Sequence, residues 1–150
     1  MRYQRNTLIA MIIGIVPMIA AASATDLTQY RWKNRLLLVF SPTKSAPSFE
    51  AFNQSLSGSF LEVKDRDLIV YQVLEKGPSR LGDQPLAPEE AEKLRRRFGV
   101  GSDRFTVILI GKDGSVKLIR EYWVELQEIF DLIDSMPMRQ REMSERSEPQ

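Results

Sequence analysis

The sequence contains no cysteine and no histidine. Without cysteine the chain has no disulfide, no thiolate nucleophile, no dithiol redox couple and no thiolate-bound metal. Without histidine it lacks the side chain that ordinarily titrates near neutral pH and the usual imidazole metal ligand. These absences exclude Ser-His-Asp and Cys-His catalysis. Carboxylate, lysine, tyrosine or arginine chemistry remains, as does ligand binding, and no cofactor is implied.

Long hydrophobic runs are also scarce. The only one lies between Leu8 and Ala22, behind the positive charges of Arg2 and Arg5 and ahead of the small residues Ala22-Ser23-Ala24. This pattern is typical of a secretory leader with an A-x-A cleavage signal. We predict a signal peptide over residues 1–24, cleaved after Ala24, and therefore an exported protein, periplasmic or secreted.

An uncleaved membrane anchor is the alternative interpretation of this segment. The apolar stretch is short for a span, which needs about 20 residues, and Pro17 would interrupt a spanning helix. No second long run follows, so we expect no membrane-spanning segment in the mature chain. Loss of the two leader arginines changes the net charge from +1 to −1, which gives no reason to expect nucleic acid as a partner.

The first half of the mature chain carries the pattern of a parallel βαβ unit. Continuous apolar runs at 35–40 and 67–73 indicate buried strands, and Pro42 is expected to end the first of them. Between the runs, Pro47 suits a first helical turn, and Phe49, Phe52, Leu56 and then Phe60 recur at helical spacing. Two buried strands joined by a helix favour a parallel pair.

The second half predicts a helix, a hairpin and a further helix. A loop is expected over 76–87, a helix from Pro88 to a stop at Gly99, strands at 105–110 and 116–120 around the turn 111–114, and a helix over 124–135. The order β-α-β-α-β-β-α predicts an α/β, thioredoxin-like fold with a mixed central sheet and helices on both faces. We place this domain at 25–138, with a disordered tail over 139–150.

Four stretches, 35–42, 65–70, 105–114 and 132–139, together resemble the bacterial domain-of-unknown-function family numbered 4174. The resemblance extends from about Asp26 to Met143. It implies a thioredoxin-like fold that is distantly similar to peroxiredoxins, and it implies no particular activity. Related domains occur in some animal extracellular-matrix and sushi-repeat proteins.

The similarity to peroxiredoxins bears on individual positions. Phe40-Ser41-Pro42 resembles their proline segment, and Arg104-Phe105-Thr106 resembles their arginine segment. Their threonine and peroxidatic cysteine would fall on Ala46 and Phe49. Because peroxide reduction needs a thiolate, the resemblance implies the scaffold without thiol peroxidase or thiol oxidoreductase activity.

The segment after the first strand is the candidate ligand-binding face. Ligands of open α/β sheets bind at the carboxyl ends of parallel strands, and backbone N–H groups before a helix hold anions. The candidate residues are Ser41, Pro42, Thr43, Lys44, Arg104 and Thr106.

We therefore expect a non-catalytic binding or interaction module whose partner is an unknown protein, a peptide or a small anion. An ordinary polar loop that caps a helix is the plainer interpretation of the same face. A third possibility is a cysteine-independent enzyme in which Arg104, Lys44 and a carboxylate polarise a small anionic substrate.

Three further groups have a functional and a structural interpretation. Asp65 and Asp67 could bind a hard cation, but turn residues are the commoner case, and no metal site is predicted. The basic cluster 93–97 could meet anionic groups, but a solvated helix face is favoured. The aromatic residues Trp32, Tyr122 and Trp123 suit either a partner surface or packing at the rim of the core.

Overall fold

The computed structural model describes residues 25–147, so the predicted signal peptide lies outside it. After a 3-10 helix at Leu27–Tyr30, the elements follow in this order: β1 (Arg35–Thr43), α1 (Pro47–Ser57), α2 (Phe60–Asp65), β2 (Leu68–Lys76), β3 (Ser79–Leu81), β4 (Gln84–Leu86), α3 (Pro88–Phe98), β5 (Thr106–Ile110), β6 (Val116–Arg120), α4 (Leu126–Asp134) and α5 (Pro137–Ser147).

The strands form one mixed sheet of six in the order β4-β3-β2-β1-β5-β6. β1 and β2 are parallel, with Leu37 opposite Val70, while every other neighbouring pair is antiparallel. A parallel pair needs a crossover, which α1 and α2 supply. The predicted parallel half, antiparallel half and thioredoxin-like fold class are confirmed.

The core lies on both faces of the sheet because successive side chains of a strand point to opposite sides. On one face Leu37 and Val39 of β1 pack with residues of α1 and α4. On the other face Leu36 and Leu38 pack with α3. Two covered faces explain why β1 and β5 are apolar at nearly every position.

α1 and α3 begin where the sequence places their signals, and α3 also ends at its predicted stop. α1 and α3 each have proline in the first turn, where a missing N–H costs nothing. α3 ends at Gly99, whose φ of 66° is a left-handed conformation that glycine adopts without steric cost.

Two expectations about α1 and β1 were wrong. β1 continues through Pro42 to Thr43, because its pairing with β5 ends at Phe40 and the residues beyond have a strand on the β2 side only. At such an edge a proline is tolerated. Phe60 does not extend the buried stripe of α1: α1 ends at Gly58, and Phe60 begins α2 with 67% of its surface exposed.

The expected loop at 76–87 contains a small hairpin. β3 and β4 are three residues each, and the turn between them includes Gly82 at a φ of 55°. Strands this short carry too few residues for an alternating pattern, and Pro78 and Pro85 disguise them further.

The expected disordered tail was also wrong for the residues described. α4 ends at Asp134, and Pro137 then opens α5, in which Arg139 is buried and Glu142 is half-buried. α5 has no apolar stripe, so hydrophobic periodicity missed it. None of the helices within 25–147 is long and apolar enough to span a membrane.

Candidate functional site

The residues of the predicted ligand-binding face lie at the end of β1. Ser41 is fully buried, and its hydroxyl donates to the Thr43 carbonyl at 2.9 Å. The Thr43 and Ser45 hydroxyls lie 3.3 Å apart, and Lys44 is exposed. These contacts are those of a turn that satisfies its own polar groups, as in the plainer interpretation.

The other half of the predicted face comes from the segment before β5. Thr106 is buried and pairs with Phe40, so the structure places this segment beside the end of β1. Arg104 is 60% exposed and forms its ion pair with Glu121 at 3.2 Å. No contact recorded among the described residues joins Arg104 to Lys44. Ligand binding by this face stays a prediction.

A residue that the sequence analysis did not single out occupies the carboxyl ends of β1 and β2. Arg95 of α3 is only 6% exposed. Its guanidinium donates to the carbonyls of Ser41 at 2.5 Å and Val73 at 3.1 Å, and to that of Gly101 at 3.0 Å. We call this arrangement the Arg95 cap. It ties α3, the two parallel strands and the loop before β5 together.

The electrostatics of the Arg95 cap are those of a charge withdrawn from water. Burial lowers the pKa of Arg95, while the carboxylate of Glu75, 3.3 Å from Nε, acts in the opposite direction. The guanidinium also lies 5.8 Å from the ring centre of Phe40. An anionic ligand bound here would need hydrogen-bond donors. The N–H groups of Arg95 that could serve already donate to main-chain carbonyls.

The basic cluster 93–97 is therefore not uniformly a solvated face. Arg96 and Arg97 are exposed, but Arg95 points into the molecule. A signal was present in the sequence: Ala91, Leu94 and Phe98 define the inward stripe of α3, and position 95 belongs to the same i, i+4 series. Because arginine is charged, position 95 does not appear as part of this apolar series in the sequence.

A second group of buried charges lies at the amino ends of β1 and β2. Arg35, the first residue of β1, is 1% exposed and makes a two-pronged contact with Glu142 of α5, at 3.1 and 3.2 Å. Lys112, from the turn between β5 and β6, lies 2.8 Å from the same carboxylate. Burial raises the pKa of Glu142, but hydrogen bonds from Arg35 and Lys112 outweigh it and leave the pKa lowered.

Arg139 extends this group to the other side of α5. Its side chain contacts the carboxylate of Asp65 and, at 3.0 Å, that of Asp134, while Arg146 lies 2.6 Å from Asp65. Burial raises the pKa of Asp65, but the hydrogen bond and charge of Arg139 and the charge of Arg146 lower it overall. The amino-end network, as we call it, consists of Arg35, Asp65, Lys112, Asp134, Arg139, Glu142 and Arg146.

The two aspartates considered as cation ligands are engaged by cationic side chains. Asp65 belongs to the amino-end network, and Asp67 lies 2.8 Å from Lys112 at a φ of 47°, in the turn before β2. No cluster of three or more potential metal-ligating side chains occurs among residues 25–147. Turn and strand-end roles account for both residues.

A groove of about 650 Å³ runs along the outer side of β2, beneath α1 and α2. We call it the β2 groove. Its apolar part comes from Leu56, Phe60 and Val63 together with the first residues of β2. Its polar rim consists of Asn34, Asn53, Ser57, Lys64, Asp67, Gln72, Arg80 and Asp83.

The edge of β2 is open where it borders this groove. β3 pairs only with Tyr71 and Gln72, and the following turn adds one hydrogen bond from the Gly82 N–H to the Val70 carbonyl at 2.8 Å. The stretch from Leu68 to Val70 therefore has no strand on its outer side within the described residues. The sequence does not reveal this open edge, because the edge depends on the length of β3.

The three aromatic residues near element ends have different environments. Trp32 and Tyr122 are 62% and 64% exposed, whereas Trp123 is half-buried and packs against the core. Of these three residues, only Trp123 packs at the rim of the core.

Comparison with known proteins identifies a family and two relatives of known sequence. A family model described as "Domain of unknown function (DUF4174)" matches residues 26–142. The chain is 27% identical over 135 residues to "Coiled-coil domain-containing protein 80" of Danio rerio, and 26% identical over 120 residues to "Sushi repeat-containing protein SRPX2" of Xenopus laevis. The matches cover 79% and 78% of this chain but only 16% and 26% of those proteins.

Peroxiredoxins are among the similar solved structures. The reduced 2-Cys peroxiredoxin of Plasmodium vivax superposes with a TM-score of 0.59 at 17% identity, over 77% of this chain and 84% of that one. Thioredoxin peroxidase I of Plasmodium yoelii gives 0.55 at 19% identity, over 77% and 79%. At this identity the likeness establishes a shared fold.

Proposed function

Because this chain belongs to the family Domain of unknown function (DUF4174) and has a thioredoxin-like fold without cysteine, we propose that it is an exported, non-catalytic binding module. The ligand is an extended peptide segment of a partner protein, and it binds in the β2 groove. The leader pattern of residues 1–24 supports export.

The observation that carries this proposal is the open edge of β2 beside an apolar groove. An extended peptide that adds to a strand edge gains main-chain hydrogen bonds, and pockets for alternate side chains supply specificity. The stretch Leu68–Val70 offers such an edge, apart from the Val70 carbonyl, which accepts from Gly82, and a longer β3 would have covered it. Leu56, Phe60 and Val63 supply the apolar contact.

The charges at the rim favour a peptide over a small anion. Lys64 and Arg80 are balanced by Asp67 and Asp83. A balanced rim does not concentrate ions of one sign. A ligand with its own polar backbone and apolar side chains matches both parts of the groove.

The Arg95 cap supports the non-catalytic part of the proposal. It occupies the end of the sheet where ligands of open α/β folds usually bind, with a guanidinium whose hydrogen bonds go to main-chain carbonyls. Measurable turnover of a hydroperoxide or a disulfide by the purified protein would contradict it.

The test is selection of peptides followed by a groove-blocking substitution. A random twelve-residue peptide library displayed on phage is panned against the protein, and enriched peptides are measured by calorimetry. Ser57 is exposed at the groove, so Ser57→Trp fills it without disturbing the core. We expect Kd to rise at least about tenfold, since a buried contact of this size contributes more than about 1.4 kcal/mol.

Gln54→Trp is the matched control, since Gln54 is an exposed residue of the same helix outside the groove. It should leave Kd unchanged. Enriched peptides that bind the Ser57→Trp and wild-type proteins equally well would place the site elsewhere. Failure to enrich any peptide would count against peptide binding altogether.

A further inference from the structure

Thr25 is held on both sides by α3. Its backbone N–H donates to Oε2 of Glu90 at 2.8 Å, and its carbonyl accepts from Arg97 at 2.9 Å. The Glu90 side chain is only 18% exposed. α3 thus places a carboxylate at the nitrogen of Thr25 and a guanidinium at its carbonyl oxygen.

The same nitrogen belongs to the peptide bond that the leader pattern marks for cleavage. Ala22-Ser23-Ala24 directs the cut to the bond between Ala24 and Thr25. Hydrolysis of that bond by water leaves a carboxylate on Ala24 and an α-amino group on Thr25. With an ordinary pKa of about 7.7–8.0, this amino group is largely an ammonium ion at neutral pH.

We propose that Glu90 is the binding site for the α-ammonium group that cleavage after Ala24 creates on Thr25. Processing then converts a hydrogen bond from an uncharged amide N–H to the Glu90 carboxylate into a hydrogen-bonded ion pair, in which both groups are charged. The contact fastens the 3-10 helix, Leu27–Tyr30, to α3 in the mature chain. The inference rests on the export part of the proposed function and is independent of peptide binding.

The charges around Thr25 are compatible with this contact. Glu90 meets Lys93 through its other oxygen, Oε1, at 3.3 Å, so Oε2 remains directed at Thr25. Arg97 is positive but bonds the Thr25 carbonyl, while Asp26 is negative and caps the 3-10 helix at the Thr28 N–H.

Ionisation of Tyr71 in β2 does not interfere with titration of the Thr25 α-amine in the alkaline range. Burial raises the pKa of its hydroxyl, and Tyr30 and Glu90 raise it further. The phenol therefore stays neutral while the α-ammonium titrates.

The pH dependence has a definite sign. Glu90 stabilises the charged form of the Thr25 amine, which raises the pKa of that amine in the folded state above its value in the unfolded chain. The added stability is fully present below about pH 7.7 and is lost as pH rises through the raised value. If Arg97 were the only charged neighbour of the amine, the pKa of the amine would be lowered, and stability would change with pH in the opposite direction.

The experiment begins with the full chain, expressed with its leader in a Gram-negative host. N-terminal sequencing and intact mass of the periplasmic product should give Thr25 as the first residue. The pKa of its α-amine is then measured by NMR titration, and unfolding by urea is measured between pH 7 and pH 10. We expect a pKa above 8.0, and a loss of roughly fivefold in the folding equilibrium constant over this range.

Glu90→Gln should return the pKa of the α-amine to the ordinary range and remove the pH-dependent loss. Glu89→Gln, the exposed neighbour on the same helix, should change neither. If Glu90→Gln does not fold, acetylation of the α-amine in wild-type protein removes the same charge. A product that starts at another residue, or a Thr25 amine with an ordinary pKa, would overturn the inference.

Discussion

The two ends of the central sheet hold buried arginines in contrasting ways. At the carboxyl ends of β1 and β2, Arg95 bonds three main-chain carbonyls, which carry no net charge and do not titrate. At the amino ends, Arg35 and Arg139 bond carboxylates of α5, α4 and the last residue of α2. The first arrangement consists mainly of main-chain acceptors, with the carboxylate of Glu75 beside them, whereas the second consists mainly of carboxylates that gain or lose protons.

The largest effect should follow from loss of the Arg95 cap. Arg95→Met keeps the apolar stem but leaves the carbonyls of Ser41 and Val73 buried without their donor. We expect the free energy of unfolding to fall by about 3 kcal/mol, because unsatisfied buried acceptors cost about 1–3 kcal/mol each. Urea denaturation measures the change.

Arg96→Met is the control for this substitution, since Arg96 is exposed and pairs with Glu92 within the same helix. Its effect should stay within about 0.5 kcal/mol. Equal losses for the two variants would mean that the Arg95 cap has no special role.

A smaller effect is expected at the opposite end of the sheet. Arg139→Met removes one partner of Asp65 and Asp134. Arg146 still pairs with Asp65, Arg66 still pairs with Asp134, and the two carboxylates are 48% and 30% exposed, so water can solvate them. We expect a loss of about 2 kcal/mol by urea denaturation. The exposed Arg141 on the same helix provides the matched control Arg141→Met. A loss larger than that of Arg95→Met would reverse the proposed ranking of the two ends.

The smallest and most local of the expected effects is the loss of stability in acid, which should be greater at the amino ends of β1 and β2 than at their carboxyl ends. The pKa values of Asp65 and Glu142 are lowered below their ordinary values of 3.8 and 4.5. The stability they contribute is present above those ordinary values and is lost as pH falls through the lowered ones.

Amide hydrogen exchange between pH 5 and pH 3 measures this difference. After correction for the intrinsic effect of pH, protection of α5 should fall by roughly tenfold, while α3, held by Arg95, should change less. The Arg139→Met variant should show a weaker pH dependence in α5. Uniform loss of protection in both helices would remove the contrast between the ends.

The sequence predicted the parts of this fold that apolar periodicity encodes. β1, β2 and the β5–β6 hairpin follow from apolar runs and a turn signal, and α3 follows from its proline and its glycine stop. α5 was missed because charges hold it in place: Arg139 and Glu142 read as solvent-exposed residues until their partners, far away in the chain, are known. β3 and β4 are too short to show a period.

The candidate sites also divide into one that local sequence indicates and others that depend on contacts between distant residues. The face from Ser41 to Lys44 was identified from its place after a strand, which is a local signal. The Arg95 cap and the β2 groove depend on contacts between distant elements, such as Val73 with α3, and on where β3 stops. Such pairings require a three-dimensional arrangement that no single segment specifies.

The burial of Phe49 makes the absence of thiol chemistry difficult to reverse. The resemblance to peroxiredoxins assigns the reactive cysteine to this position, yet Phe49 is 4% exposed and packs in the core from the inner face of α1. A thiol placed there would have a raised pKa in apolar surroundings and would leave a void where the ring had been. Phe49→Cys would therefore lose stability before the chain gained any thiol reactivity.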